Sequence, residues 1–227
     1  MTRGEMTQPG APPATHPPGT RLLDLVALMD RLRSPGGCPW DAEQTHASLE
    51  QYLVEETYEV LEAIDTDDRD ALLEELGDLL LQVVFHARIA EERGADAFSI
   101  DDVAVGITEK LIRRHPHVFA PDDGPAPTGA HTERGWDALK RVEKGRTSAL
   151  DGVPMAQPAL ALAAKVLGRV ERSGLHVALP EDDGLGDRLL ALVAEARAAG
   201  LDPEAELRAA VWRYAGAVRA AEASDAS

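Results

Sequence analysis

Two neighbouring segments of the sequence place acidic residues inside long apolar stretches. Residues 53–64 read LVEETYEVLEAI, and residues 72–84 read LLEELGDLLLQVV. Both have the apolar periodicity of helices, and the second is apolar nearly all round, which is typical of a buried helix. Burying an ionised carboxylate is costly unless a cation compensates it. A chain that keeps acids in such helices is therefore expected to use them to bind a cation.

The spacing of these acids predicts a cation site between two helices. Glu56 and Glu59 are three residues apart and share a helix face, and Glu75 and Asp78 repeat that spacing on the next helix. A short connection joins the two helices, so an antiparallel pair would bring the four carboxylates together. Oxygen ligands suit a hard cation, Mg²⁺ or Mn²⁺. The alternative, in which the acids are solvated and pair with surface cations, stays open at this point.

A di-iron bundle is the main rival for the metal. Such a site needs two E-x-x-H ligand pairs. Glu43 and His46 have this spacing, but they lie in a predicted loop and have no second copy. His86 lies on the second acidic helix, yet no Glu precedes it by three residues. The pattern therefore favours Mg²⁺ or Mn²⁺ over iron.

Charge and composition restrict the classes of partner. The chain has 227 residues, a hydrophobic fraction of 44% and a formal net charge of -17. Such a charge argues against a nucleic-acid or anionic-membrane binder working by bulk electrostatics, and a phosphorylated ligand would need local cations. Cys38 is the single cysteine, which favours a reducing, cytoplasmic location. No run approaches the ~18 apolar residues of a membrane span.

The chain pattern predicts an all-α protein. Residues 1–19 hold five prolines and are interpreted as a disordered tail. Helical periodicity begins at Thr20, and a capping box of Ser48 with Gln51 predicts the start of the first acidic helix. The acids of TDDRD (66–70) are N-cap candidates for a helix over about 68–92, and Ser99 with Asp102 repeats the capping pattern for a helix over about 100–114. The other expected helices cover about 132–144 and, three in number, residues 155–223. Residues 38–48 are interpreted as a loop, and no convincing strand is found.

An internal repeat predicts two related helical units. Residues 75–88 align with residues 184–197, with eight of fourteen positions identical. In the second copy Glu75 becomes Gly184, while Asp187 takes the place of Asp78. The ten residues between Leu175 and Gly186 are too few for a helix carrying a second E-E-x-x-E. The region 151–227 is therefore expected to be a degenerate, non-catalytic helical domain.

The acidic motifs resemble those of a known family. E-E-x-x-E at 55–59 followed by E-x-x-D at 75–78 is similar to the MazG family of nucleoside triphosphate pyrophosphohydrolases. The resemblance covers residues 20–150 and includes GGCPWDAEQTHASLEQYLVEETYEVLEAI, ELGDLLLQVVFHARIA, EKLIRRHPHVF and RGWDALKRVEK. It implies an antiparallel bundle of the all-α pyrophosphatase type, a catalytic domain over 20–150 and a homodimer.

The resemblance also implies a role for each matching residue. The second and third acids of the first motif and both acids of the second would hold Mg²⁺, with Mn²⁺ as a substitute: Glu56, Glu59, Glu75 and Asp78. Glu55 would orient water or a further ion, and completes the catalytic set. Three basic residues would bind the triphosphate: Lys110, Arg113 and Arg114. Trp136 and Lys140 would lie near the nucleotide, and Trp40 would shape the site entrance or hold its loop.

The implied reaction is hydrolysis of a nucleoside triphosphate to the monophosphate and pyrophosphate, in housecleaning of the nucleotide pool. Attack at the α-phosphorus is taken from the resemblance, because residue spacing alone does not distinguish α from γ attack. The alternative is a regulatory module that binds metal and nucleotide without turnover. Neither reading involves nucleic acid or a membrane.

Overall fold

The protein is built from helices. The computed structural model describes Pro17, residues 19–119, Gly145, residues 147–180, Asp182 and residues 184–225. No strand occurs in these ranges, so the all-α prediction is confirmed. The helices are α1 (Thr20–Arg33), α2 (Pro39–Glu43), α3 (Glu50–Asp65), α4 (Arg69–Ala90), α5 (Ile100–Arg114), α6 (Pro116–Phe119), α7 (Ala159–Ser173), α8 (Leu185–Ala198) and α9 (Pro203–Asp225), with a 3₁₀ turn at Gly94–Asp96.

The chain forms two compact units, Met1–Lys110 and Leu111–Ser227. The predicted limits of the tail, the catalytic domain and the degenerate domain, at 1–19, 20–150 and 151–227, stay predictions. Residues 1–16 and 120–144 lie outside the described residues, and so does the helix predicted for 132–144.

The segment between α1 and α3 differs from its prediction in two ways. Residues 39–43 form the short helix α2 rather than a loop, because Pro39 occupies its first turn, where a missing N–H costs nothing. The predicted Ser48 capping box is wrong, since Leu49 is the N-cap of α3. The Ser48 hydroxyl instead accepts a hydrogen bond from the Thr45 N–H (2.9 Å) and donates one to Gln44 Oε1 (2.7 Å). Serine readily makes such local turns.

A tight turn joins α3 to α4. Asp67 has a left-handed backbone conformation (φ 54°), which aspartate tolerates better than most residues. The Asp68 carboxylate caps α4 by accepting hydrogen bonds from the N–H groups of Asp70 and Ala71, both at 3.0 Å. This confirms the predicted acidic cap. The turn sends α4 back along α3, and the two helices pack along their lengths.

The core of the first unit lies where α4 also meets α1. Five apolar side chains are buried together there: Met29, Leu49, Val84, Phe85 and Ile89. Leu49 anchors the start of α3 in this core. α4 therefore contacts helices on two sides, which explains why most of its second half is buried.

A buried arginine fixes the chain segment that precedes α3. The side chain of Arg33 is only 3% exposed, and its guanidinium lies over the Phe85 ring. It donates hydrogen bonds to both carboxylate oxygens of Glu92 (3.0 and 2.9 Å) and to the backbone oxygens of Asp41 and Gln44. Arg33 thus ties the end of α1 and the segment after α2 to the chain that leaves α4.

The helix α5 begins with the predicted capping box. The Ser99 N–H donates to Asp102 Oδ2 (2.7 Å), and the Asp102 N–H donates to Ser99 Oγ (3.3 Å). α5 ends at Arg114, as expected for a helix that precedes Pro116. None of the helices in the described part of the chain is long and apolar enough to cross a bilayer.

The second unit contains the three helices predicted for 155–223. α7, α8 and α9 pack against one another. Arg197 of α8 lies against α7, where it forms an ion pair with Glu171 (3.1 Å) close to Gly168.

Candidate metal centre

The turn at Asp67 sets which residues of α3 and α4 face each other. Glu56 and Asp78 each lie eleven residues from Asp67, and Glu59 and Glu75 each lie eight residues from it. In an antiparallel pair, residues equally distant from the turn lie at the same level. Because each acid pair also shares a helix face, the four carboxyl groups converge between the two helices.

Three of these carboxylates form a compact group. Oxygen atoms of Glu56, Glu75 and Asp78 all lie within 4.8 Å of one another, and all three residues are half-buried. Glu59 is more exposed and lies beside them, within hydrogen-bonding reach of Glu56 and Glu75. The structure thus brings together the acids that the sequence singled out, with Glu59 at the outer edge.

The crowding of negative charge perturbs Glu56 most strongly. Burial, a hydrogen bond with Glu59 and the charges of Asp78, Glu59 and Glu75 raise the pKa of Glu56 from 4.5 to about 6. The pKa of Glu75 is also raised, by burial first and then by the charges of Glu59, Glu74 and Asp78. Each shift means that the ionised cluster is held together against its own repulsion.

The donor set fits a hard divalent cation. All of the converging ligand atoms are carboxylate oxygens, which Mg²⁺, Mn²⁺ and Ca²⁺ prefer over the softer metals. A cation between these helices would relieve the repulsion that raises the pKa of Glu56. Within the described ranges, this is the only group of three or more side chains placed to ligate a metal. No histidine belongs to it, so the E-x-x-H spacing of Glu43 and His46 contributes no ligand here.

Glu55 and Trp40, which were also predicted as site residues, lie outside this group. Glu55 is exposed on α3 and is not one of the converging carboxylates. Trp40 is half exposed on α2 and packs edge-on against Tyr52, with ring centroids 6.2 Å apart. Trp136 and Lys140 lie outside the described residues.

The three basic residues follow one another along the end of α5. Lys110 is half-buried, Arg113 is exposed and Arg114 is buried. Their contact with a triphosphate stays a prediction, as do the individual roles of all the site residues.

Sequence reasoning missed one pair of residues near the acids. His46 and His86 were considered only as iron ligands, but their Nδ1 atoms lie 2.8 Å apart and their rings lie in nearly the same plane. Their positions carried a signal, since His86 lies nineteen residues after Asp67 and His46 lies twenty-one before it. Both are therefore at nearly the same level of the α3–α4 pair.

Comparison with known proteins shows which family this chain is similar to. Residues 44–119, which include all four acids, match the family described as the MazG nucleotide pyrophosphohydrolase domain. The chain is 40% identical to a nucleoside triphosphate pyrophosphohydrolase/pyrophosphatase MazG of Thermotoga maritima, over 86% of this chain and 83% of that protein. It is 52% identical to an uncharacterised 26.1 kDa protein of Streptomyces cacaoi, over 90% and 84% of the two chains.

A third relative is longer than this chain. The chain is 46% identical to a nucleoside triphosphate pyrophosphohydrolase of Mycolicibacterium smegmatis, over 92% of its own length. It spans only 62% of that protein, so the mycobacterial relative has additional sequence that finds no match here.

Proposed function

Because the chain belongs to the MazG nucleotide pyrophosphohydrolase family, we propose that it hydrolyses nucleoside triphosphates to nucleoside monophosphates and pyrophosphate in the bacterial cytoplasm. The observation that carries this proposal is the convergence of Glu56, Glu75 and Asp78 from two helices. The names of the relatives from Thermotoga and Mycolicibacterium support the same reaction.

The acids would hold the metal ion that the reaction requires. Glu56, Glu75 and Asp78 are the proposed ligands, with Glu59 as the fourth, and Mg²⁺ is the proposed ion, for which Mn²⁺ can substitute. When bound, the ion supplies positive charge toward the triphosphate and lowers the pKa of the attacking water. This local charge is needed because a chain with a net charge of -17 otherwise repels its substrate.

The chemical step breaks one phosphoanhydride bond. Water attacks the α-phosphorus, the bond from that atom to the oxygen bridging the α- and β-phosphorus breaks, and pyrophosphate leaves. The water oxygen stays on the monophosphate, and its proton passes to a carboxylate or to solvent.

Glu55, which is exposed on α3 beside Glu56, is the proposed group that orients the water. Lys110, Arg113 and Arg114 are proposed to stabilise charge on the phosphoryl oxygens, and Trp136, Lys140 and Trp40 to surround the nucleoside.

The second unit is proposed to be non-catalytic. The described residues between α7 and α8 form no helix that could carry a counterpart of the α3 acids. The position of Glu75 is taken by Gly184, where a β-carbon would lie only 2.8 Å from Asp187 Oδ2. The surviving acid, Asp187, therefore folds back over the start of its own helix.

The apolar surface of α4 supports the proposed homodimer. Leu73, Leu76, Leu80 and Val83 follow one another at helical spacing and are 68%, 49%, 39% and 41% exposed. An apolar stripe of this kind needs a partner helix, and a second copy of the chain is the proposed one. Sedimentation of the wild-type protein and a Leu76→Glu variant tests this, because the variant should sediment as a monomer.

The reaction is tested by resolving the products formed from ATP, GTP, CTP and UTP with Mg²⁺ in ¹⁸O-labelled water. We expect monophosphate and pyrophosphate, with the label in the monophosphate. A Glu75→Gln variant should form neither product. Glu62→Gln, an exposed change on α3, is the matched control and should retain activity. Diphosphate with labelled phosphate would refute α attack. Nucleotide binding without turnover would favour the alternative function, a nucleotide sensor.

A further inference from the structure

The polar face of α4 continues beyond the acids. Gln82 follows Asp78 by four residues and His86 follows Gln82 by four, so the three side chains lie along one side of the helix. Gln82 is 6% exposed, and its Oε1 has no hydrogen-bond partner among the described residues; the same is true of the buried His86 Nε2. A buried polar atom without a partner lowers the stability of the folded chain. Apolar side chains would avoid this cost, so packing alone does not explain the stripe.

The last member of the stripe is joined to the segment that precedes α3. His86 Nδ1 lies 2.8 Å from His46 Nδ1, and the rings lie edge to edge in nearly the same plane, with an interplanar angle of 4° and centroids 5.1 Å apart. One Nδ1 must donate while the other accepts, so the contact fixes the tautomers and orientations of both rings. Burial and the nearby His46 lower the pKa of His86, which favours the neutral, paired state. We refer to His46 and His86 together as the histidine clasp.

The metal centre lies between the histidine clasp and the α3–α4 turn. The acids are eight and eleven residues from Asp67, whereas His86 and His46 are nineteen and twenty-one residues from it. The turn fixes the end of α3 against the start of α4. The histidine clasp fixes the other end, because His46 lies four residues before α3 begins at Glu50.

The register of the two helices decides whether the carboxylates meet. A slip of one residue along a helix moves its side chains by about 1.5 Å and rotates them by about 100°. Binding constellations tolerate only about 0.5 Å of displacement. The carboxylates of Glu56, Glu75 and Asp78, whose oxygens lie within 4.8 Å of one another, repel each other and so act to separate α3 from α4 at this level. At the other end of this 16-residue helix, Leu49 packs into the core against α4, and the histidine clasp adds a directional contact there, because a hydrogen bond, unlike apolar packing, restricts the relative position of its two groups.

We propose that the histidine clasp is a positioning device for the metal centre, holding the start of α3 against α4 so that Glu56 meets Glu75 and Asp78. The inference rests on the metal binding in the proposed function. Neither histidine touches the ion or the substrate. Their effect is transmitted through the register of the two helices.

The test measures the affinity of the full chain for Mn²⁺ alone, by calorimetry without nucleotide. His46→Phe keeps a planar ring but removes the hydrogen bond to His86, whereas His46→Asn keeps a polar group near the Nδ1 position. We expect Mn²⁺ affinity to fall about 10-fold in His46→Phe, the size of effect typical of residues that orient metal ligands, and to be largely restored in His46→Asn. Val193→Ala, a buried change on α8, controls for general destabilisation and should lower the unfolding temperature without this loss of affinity.

Hydrogen exchange of the metal-free proteins gives a readout that does not depend on metal binding. Backbone amides of residues 50–56 should exchange faster in His46→Phe than in the wild type, and His46→Asn should resemble the wild type. Equal Mn²⁺ affinities in the wild type and His46→Phe would overturn the positioning role while leaving the metal centre intact. A wild-type chain that binds no Mn²⁺ would instead refute the metal centre itself, and the inference with it.

Discussion

The substitution Glu56→Gln should stabilise the metal-free protein while destroying its metal centre. In the folded chain the pKa of Glu56 is raised from 4.5 to about 6. Below pH 4.5 the carboxyl is protonated in the folded and unfolded states, so it has no differential effect. Between pH 4.5 and 6 the folded state binds the proton more tightly, and stability falls as the pH rises. Above pH 6 the carboxyl is ionised in both states, and the free energy of unfolding is lowered by the full cost of the ionised carboxylate in the folded chain.

The size of this cost follows from the pKa. A rise from 4.5 to about 6 corresponds to about 2 kcal/mol, and solvent screening of a half-buried cluster reduces it to roughly 1 kcal/mol. Glu56→Gln removes the charge but keeps the shape of the side chain. The variant should therefore unfold about 3 °C higher than the wild type at pH 7.5, since 1 kcal/mol shifts the midpoint by about 2–4 °C in a chain of this size.

Thermal unfolding followed by circular dichroism checks this prediction, first with a chelator at pH 4.5 and 7.5 and then with Mn²⁺ at pH 7.5. The difference between the two proteins should be much smaller at pH 4.5, where the carboxyl is protonated in the folded state and half protonated in the unfolded state. Mn²⁺ at 100 times its Kd should stabilise the wild type by about 2.7 kcal/mol, which reverses the order of the two proteins, because the variant has lost a ligand. Glu62→Gln should follow the wild type throughout. A Glu56→Gln protein that is less stable than the wild type at pH 7.5 without metal, or equally stabilised by Mn²⁺, would refute the reasoning.

Three further predictions concern the frame around the metal centre, each measured by urea unfolding. Arg33→Ala removes a buried guanidinium that binds Glu92 and the backbone oxygens of Asp41 and Gln44, and should cost about 3 kcal/mol. Arg69→Ala removes an exposed ion pair and should cost less than about 1 kcal/mol. Asp67→Val should cost about 1–2 kcal/mol because of its left-handed backbone, and Asp67→Gly should not. Gln82→Met should stabilise by roughly 1 kcal/mol by removing an unpartnered buried oxygen; a loss of stability would show that Gln82 has a partner.

The features that could be predicted from the sequence are the local ones. The caps at Asp68 and at Ser99 with Asp102 depend on side chains that bond to backbone groups two or three residues away, so their spacing is sufficient to find them. The all-α class follows in the same way from apolar periodicity along each segment. The start of α3 was predicted less well, because Ser48 had two local partners to choose from and it bonds to Gln44 and Thr45 rather than to the helix.

The sequence was sufficient to identify the acids that converge in the candidate site. The spacing within each acidic pair placed Glu56 with Glu59 and Glu75 with Asp78 on common faces, and the short connection indicated that the faces meet. The outer position of Glu59 was not predictable, since it depends on the rotation of α3 about its own axis. That rotation is set by the packing of Leu49 and its neighbours into the core.

The sequence by itself therefore determined the helices, the choice of acids and, through the family it belongs to, the reaction that those acids would serve. Only the tertiary structure decided which carboxylates approach within 4.8 Å, how far burial and mutual repulsion raise the pKa of Glu56, and that His46 reaches His86. The physical reason is the distance along the chain over which each interaction acts. Capping and helix periodicity act over a few residues, whereas repulsion, burial and the pairing of two rings forty positions apart depend on how the helices are brought together.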